Sequence, residues 1–191
     1  MITFQDSYTL QQWLNTHNID TAEWGSHNAK TIHNLWQEII VGESHFEAES
    51  PVRHVNVVNI ILRHKQQILI EVAQELRDGR VRRRNRPPAE KIMRGENYLE
   101  AATRCLVEEL GLSAEDIQLD PSSHRSQSYC SESLSYPNLF THFHLHTIEA
   151  TIKTLPTNDF RIPHHTHNRA DPVVAHHWAW REPTDELVEF A

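Results

Sequence analysis

The sequence predicts a protein of mixed α and β class (α+β), and three observations carry that expectation. Runs of β-branched and alternating residues occupy 52–86 and return between 125 and 181. Between them lies one amphipathic, glutamate-rich helix ending near Leu110. Two short amphipathic helices precede the first strand. Elements mixed in this way bury their apolar faces by laying helices on a sheet.

Residues 1–48 are expected to form a two-helix extension and 49–191 the main domain. Asp6 or Ser7 can cap a first helix that turns Leu10, Trp13 and Leu14 to one side. Ser26 can cap a second, in which Ile32, Leu35, Trp36, Ile39 and Ile40 make an i, i+3, i+4, i+7, i+8 stripe that Gly42 ends. Helices this short do not bury their faces alone, so they pack on the main domain or on a partner chain, and packing within the chain is the expectation.

Residues 52–63 and 68–76 read as successive strands, and Asp78-Gly79 as a two-residue hairpin turn into a third strand, 80–86. That return strand holds Arg80, Arg82, Arg83, Arg84 and Arg86. Alternation puts Arg82, Arg84 and Arg86 on one face and Arg83 on the other. Two readings stand level: an edge strand kept from aggregation by charge, or a cradle whose guanidinium forks match phosphate oxygens.

The stretch from Arg86 to Leu112 organises the rest. Pro87 and Pro88 keep the chain extended and Gly95 turns it sharply before Glu96. Leu99, Ala102, Leu106 and Leu110 recur at helical spacing, and Gly111 stands where a left-handed cap ends a helix. Glu108 and Glu109 lie side by side at the negative end of the macrodipole, where a divalent cation is one compensating partner.

This stretch resembles the Nudix box: Gly, five residues, Glu, seven residues, then Arg-Glu-apolar-x-Glu-Glu-x-Gly-apolar. Glu96 is followed by seven residues and then Arg104-Cys105-Leu106-Val107-Glu108-Glu109-Leu110-Gly111-Leu112. Two positions depart. Glu90 stands in place of the first Gly, and Cys105 in place of the Glu of the Arg-Glu pair. The resemblance implies a Nudix-type α/β/α sandwich with a mixed β-sheet. It implies hydrolysis of a nucleoside-diphosphate-linked or other phosphoanhydride substrate, with Mg2+ or Mn2+ as cofactor. It makes Glu108 and Glu109 catalytic metal ligands, Arg104 the catalytic helix arginine, and Glu96 its salt-bridge partner, with Gly95 and Gly111 structural. Arg82, Arg83 and Arg84 are then candidates for binding a small nucleotide-type ligand. A homodimer is common among such proteins.

Cys105 removes one carboxylate of the i, i+3, i+4 trio, and a thiol is a poor ligand for magnesium. Three readings follow. The chain is a hydrolase with an altered metal site that takes a third carboxylate from elsewhere, such as Asp159, Asp171 or Glu149. Alternatively it is a catalytically inactive nucleotide-binding or sensor module, or a scaffold acting through its N-terminal helices. The hydrolase reading leads because the Glu pair is intact.

After the helix come a short strand at 117–119, then strands at 125–133 and 139–152 around the turn Ser135-Tyr136-Pro137-Asn138. A loop follows over 153–172 and a last strand over 173–181, after which Thr184 can cap a terminal helix. His142, His144 and His146 share one strand face, and His164, His165 and His167 sit in the long loop. Three side chains in a row on a strand span too far for one tetrahedral ion without help from elsewhere, so a structural metal is the less favoured reading.

The net charge of −8 argues against a nucleic acid duplex as partner. No run is apolar enough to span a membrane, and no signal-peptide pattern is read. Two cysteines among 191 residues make no disulfide framework. A reducing compartment is expected, read as cytoplasmic.

Overall fold

A computed structural model describes residues 2–27, 29–165 and 172–183. His167, Asp171 and the cap expected at Thr184 lie outside them. Three helices are described: α1 (Ser7–Thr16), α2 (Ile32–Ile40) and α3 (Tyr98–Leu110). Nine strands accompany them: β1 (His45–Glu47), β2 (Ser50–His64), β3 (Gln67–Leu76), β4 (Val81–Arg86), β5 (Ala89–Lys91), β6 (Ile117–Glu132), β7 (Phe140–Ile152), β8 (Phe160–Pro163) and β9 (Val173–Arg181). Hydrogen bonding orders the sheet β6-β7-β2-β3-β9-β8, with β1 and β5 paired to β2 and β4 paired to β3. The mixed α and β class is as the sequence predicts.

The chain forms two compact units. The first comprises residues 1–57, 91–96 and 127–145. Its core is Phe4, Leu10, Leu14, Leu35, Ile39, Phe46, Tyr136 and Leu139. The apolar faces of α1 and α2 are therefore buried within the chain, with Trp13 packed against Phe4 and Phe46 at ring distances of 5.5 and 5.0 Å. Asp6 caps α1 in a capping box with Thr9. The cap of α2 is Thr31, not Ser26: Thr31 and Asn34 exchange side-chain and backbone bonds, which Ser26 is too far upstream to do. On α2, Glu38 is buried among cations, 2.7 Å from Lys30 Nζ, 2.5 Å from Arg53 Nη2 and 2.9 Å from Lys91 Nζ. Tyr136 donates its hydroxyl to the same carboxylate at 3.1 Å.

The second unit comprises residues 58–90, 97–126 and 146–191. Ile61, Ile68 and Ile70 form a buried cluster in it, with Val72 packed alongside. The β3–β4 hairpin is closed by four residues, Arg77–Arg80, rather than two. Gly79 has φ +84° while Asp78 is not left-handed, so the two-residue turn that needs φ > 0 at both positions is not made. Residues 117–132 form one continuous strand where two were expected, since pairing overrides the Pro121-Ser122-Ser123 break. The expected loop over 153–172 contains β8, held in register on β9 with Phe160 opposite Trp178 and Pro163 opposite Ala175. Only a partner strand makes such a short segment extended.

Candidate active site

The glutamate-rich helix is fixed at both ends by its own sequence. Asn97 accepts from the Leu99 and Glu100 amides at 2.9 and 3.0 Å, while Glu100 returns a bond to the Asn97 amide at 2.8 Å. At the other end Gly111 adopts φ +64° and donates to the Val107 carbonyl at 3.1 Å. A Cβ there would lie 2.9 Å from His165 Nε2, the tip of an exposed side chain that can turn aside, so it is the left-handed conformation that calls for glycine. Ahead of the helix, in the first unit, Gly95 turns with φ +85°. There Glu96 accepts the Met93 amide at 2.9 Å, closing the loop on itself.

Within the second unit, α3 turns one face inward. Ala101, Ala102, Cys105, Leu106, Glu109 and Leu110 are buried. Glu109 is the anomaly in that row, a carboxylate whose Oε2 has no hydrogen-bond partner among the described residues. Burial, then the charges of Glu71 and Glu90, hold its carboxyl well above the ordinary range. Glu71, on β3, is also buried, which by itself raises it. The bond from His176 and the charge of Arg84 outweigh that and hold it below the ordinary value. Its oxygens lie 2.5 Å from His176 Nδ1 and 3.1 Å from Arg84 Nε. His176 Nε2 reaches His164 Nδ1 at 2.8 Å, so a Glu71–His176–His164 chain runs outward from the carboxylates.

The outer face of α3 borders a groove of about 520 Å3, lined by Leu99, Glu100, Thr103, Arg104, Val107, Glu108 and His165. That volume suits a small ligand. Arg104 Nη1 lies 3.4 Å from Glu90 Oε2, and the Glu108 carbonyl accepts the His165 amide at 2.8 Å.

Of the residues singled out from sequence, Glu109, Arg104, Glu108 and Gly111 come together on α3 and its end. Cys105 is wholly buried, and its thiol is pushed far up by burial, then by Glu109 and Glu90, so it is protonated. In the arginine strand, Arg84 is committed to Glu71 and Arg82 donates to Gln74, while Arg83 is exposed. Asp159 and Glu149, considered as spare carboxylates, instead form exposed ion pairs with Arg181 and Arg63. The carboxylates that do stand near Glu109 are Glu71 and Glu90. Sequence reasoning missed Glu71, which strand alternation places indifferently, along with His176, and it met His164 only as one of the loop histidines. Glu90 was visible only as a departure from the box.

Fold and helix together define a class: the chain belongs to the NUDIX domain family, which matches residues 52–185. No curated protein matches it. Among solved structures it is similar to the C. elegans Ap4A hydrolase in a binary complex, at 17% identity over 68% of this chain and 79% of that one, with a TM-score of 0.38. A NUDIX hydrolase from Nitrosomonas europaea matches at 16% identity over 65% of this chain and 71% of that one, TM-score 0.41. The E. coli dihydroneopterin triphosphate pyrophosphohydrolase matches at 15% identity over 70% and 81%, TM-score 0.32.

Proposed function

We propose that the chain hydrolyses a phosphoanhydride in a nucleoside-diphosphate-linked or related substrate, and that it does so with a rearranged metal site. The observation that carries this reading is the buried, partnerless Glu109 oxygen set among the charges of Glu71 and Glu90. Such a carboxylate is costly unless protonated or met by a cation. The three carboxylates Glu109, Glu71 and Glu90 stand together there, and carboxylate oxygens are the ligands that Mg2+ or Mn2+ takes.

Glu108 and Glu109 would hold that ion, and Glu90 would take the part of the carboxylate that Cys105 lacks. Glu90 suits this better than Glu71, because its side chain is 24% exposed against 3% and a hydrated ion can reach it. When bound, the ion supplies neutralisation of charge developing on the phosphates. Arg84 holds Glu71 and keeps it ionised. Arg82 and Arg83, on the same short strand, offer guanidinium groups to the phosphates of a nucleotide-type ligand, and Arg104 positions Glu90.

A screen of metal-dependent turnover over nucleotide sugars, dinucleoside polyphosphates, NAD-like compounds and nucleoside triphosphates tests the reading. Turnover is expected with Mg2+ or Mn2+ on at least one class, falling at least about 100-fold in Glu109→Gln. Tight binding of a nucleotide without turnover, whatever the metal, would instead establish a binding module.

A further inference from the structure

The histidines of β7 divide between two surroundings. His146 meets His124, with Nδ1 and Nε2 3.0 Å apart, and both stack on Tyr98. His142 and His144 belong to the first unit. They lie two apart on one strand face with ring centroids 4.4 Å apart. Extended geometry puts His146 ~13 Å along the strand from His142, too far to share an ion with it. The third imidazole comes from a strand whose sequence gave no hint of it. His54, on β2, brings its ring to 5.3 Å from His142.

One ligand nitrogen from each of His54, His142 and His144 lies within 4.8 Å of the other two. A tetrahedral ion with ~2.05 Å bonds needs nitrogens ~3.3 Å apart, a change that small side-chain rotations supply. All three rings are half-buried. Two further contacts order the group. Ser128 Oγ lies 2.8 Å from His144 Nδ1, and His45 stacks on His54 at 5.0 Å with 17° between planes. Outer partners of this kind fix the orientation of metal-bound imidazoles.

We infer that His54, His142 and His144 form a Zn2+ site with its fourth position left to water or an anion. Three imidazoles without a carboxylate select a transition metal over magnesium or calcium. Three protein ligands, rather than four, are the number found where zinc keeps an open position. No residue of this group belongs to the Nudix box, and the site stands or falls apart from the hydrolase reading.

The test is titration of the metal-free full chain with Zn2+ by calorimetry, and with Co2+ by visible absorption, both in excess Mg2+ to occupy the carboxylates. One equivalent should bind, and Co2+ should show the ligand-field bands of a four-coordinate ion. His54→Gln, His142→Gln and His144→Gln should each weaken Zn2+ binding by more than roughly 100-fold, beyond the loss that outer partners cause. His146→Gln controls for the general richness in histidine and should bind as the wild type does. Circular dichroism without metal establishes that each variant folds; any one of the three that folds suffices. The absence of a Zn2+ equivalent in the wild type, retained affinity in a folded variant of the three, or an equal loss in His146→Gln overturns the site.

Discussion

Glu109 makes the residue-scale problem concrete. It sits on the inward face of a helix, flanked by a protonated thiol and facing two other carboxylates, so without a cation it opposes folding. Glu109→Gln should therefore raise the metal-free melting temperature, by ~2–4 °C for each kcal/mol relieved in a chain of this length. The same variant should lose the gain in melting temperature that Mg2+ or Mn2+ gives the wild type by mass action. Thermal melts with and without the ion check both signs, and a wild type indifferent to divalent ions would refute the site. Cys105 calls for the opposite expectation. Restoring the missing carboxylate as Cys105→Glu places a fourth acid where no solvent reaches, and should destabilise by several kcal/mol. Cys105→Ala should leave metal-dependent stabilisation unchanged, because the thiol is not a ligand. Glu90→Gln should reduce it.

At the scale of the element, α3 is held by capping at each end, and the two ends matter differently. Asn97→Ala removes two bonds to backbone amides and should cost ~1 kcal/mol, read by denaturant unfolding, with little effect on metal-dependent turnover. Gly111→Ala meets a left-handed backbone and displaces the His165 ring, 2.9 Å from the added Cβ. It should cost more than Asn97→Ala and should also lower turnover, because His165 lines the groove beside Glu108. Equal stability losses with unaltered turnover in both variants would argue that the groove is not where the substrate lies.

At the scale of the whole molecule, each unit has a core with an ionic centre of its own. In the first, Glu38 on α2 is buried; burial raises its carboxyl, but Lys91, Arg53 and Lys30 together pull it far below the ordinary value. A depressed folded-state value means the folded chain holds this proton less readily than the unfolded chain. The stabilisation is thus complete above the ordinary Glu value of 4.5 and is lost progressively as pH falls below it. Acid melts of the wild type should show this loss, and Glu38→Gln should flatten it while destabilising by ~3–5 kcal/mol at neutral pH, since Lys30, Arg53 and Lys91 then face one another. A variant as acid-labile as the wild type would remove Glu38 from that role. Among the described residues, no helix is long and apolar enough to cross a membrane.

What the sequence determined by itself are the features written in local spacing. The stop of α3 at Gly111, the stripes of α1 and α2 and the bounds of β9 all follow from periodicity and from residues a few places apart. The Nudix family was legible in the same way, since its box is one continuous run. Tertiary structure alone decided what depends on strands distant in sequence coming side by side. It gave β8 its extended form by pairing it with β9, and it set Glu71 and Glu90 against Glu109 while turning Asp159 and Glu149 to surface arginines. It also brought His54, on β2, beside His142 and His144. The physical reason is common to these cases. Side-chain alternation says which face a strand residue takes, but only register says which residue it meets there, and buried charge and metal ligation depend on that meeting.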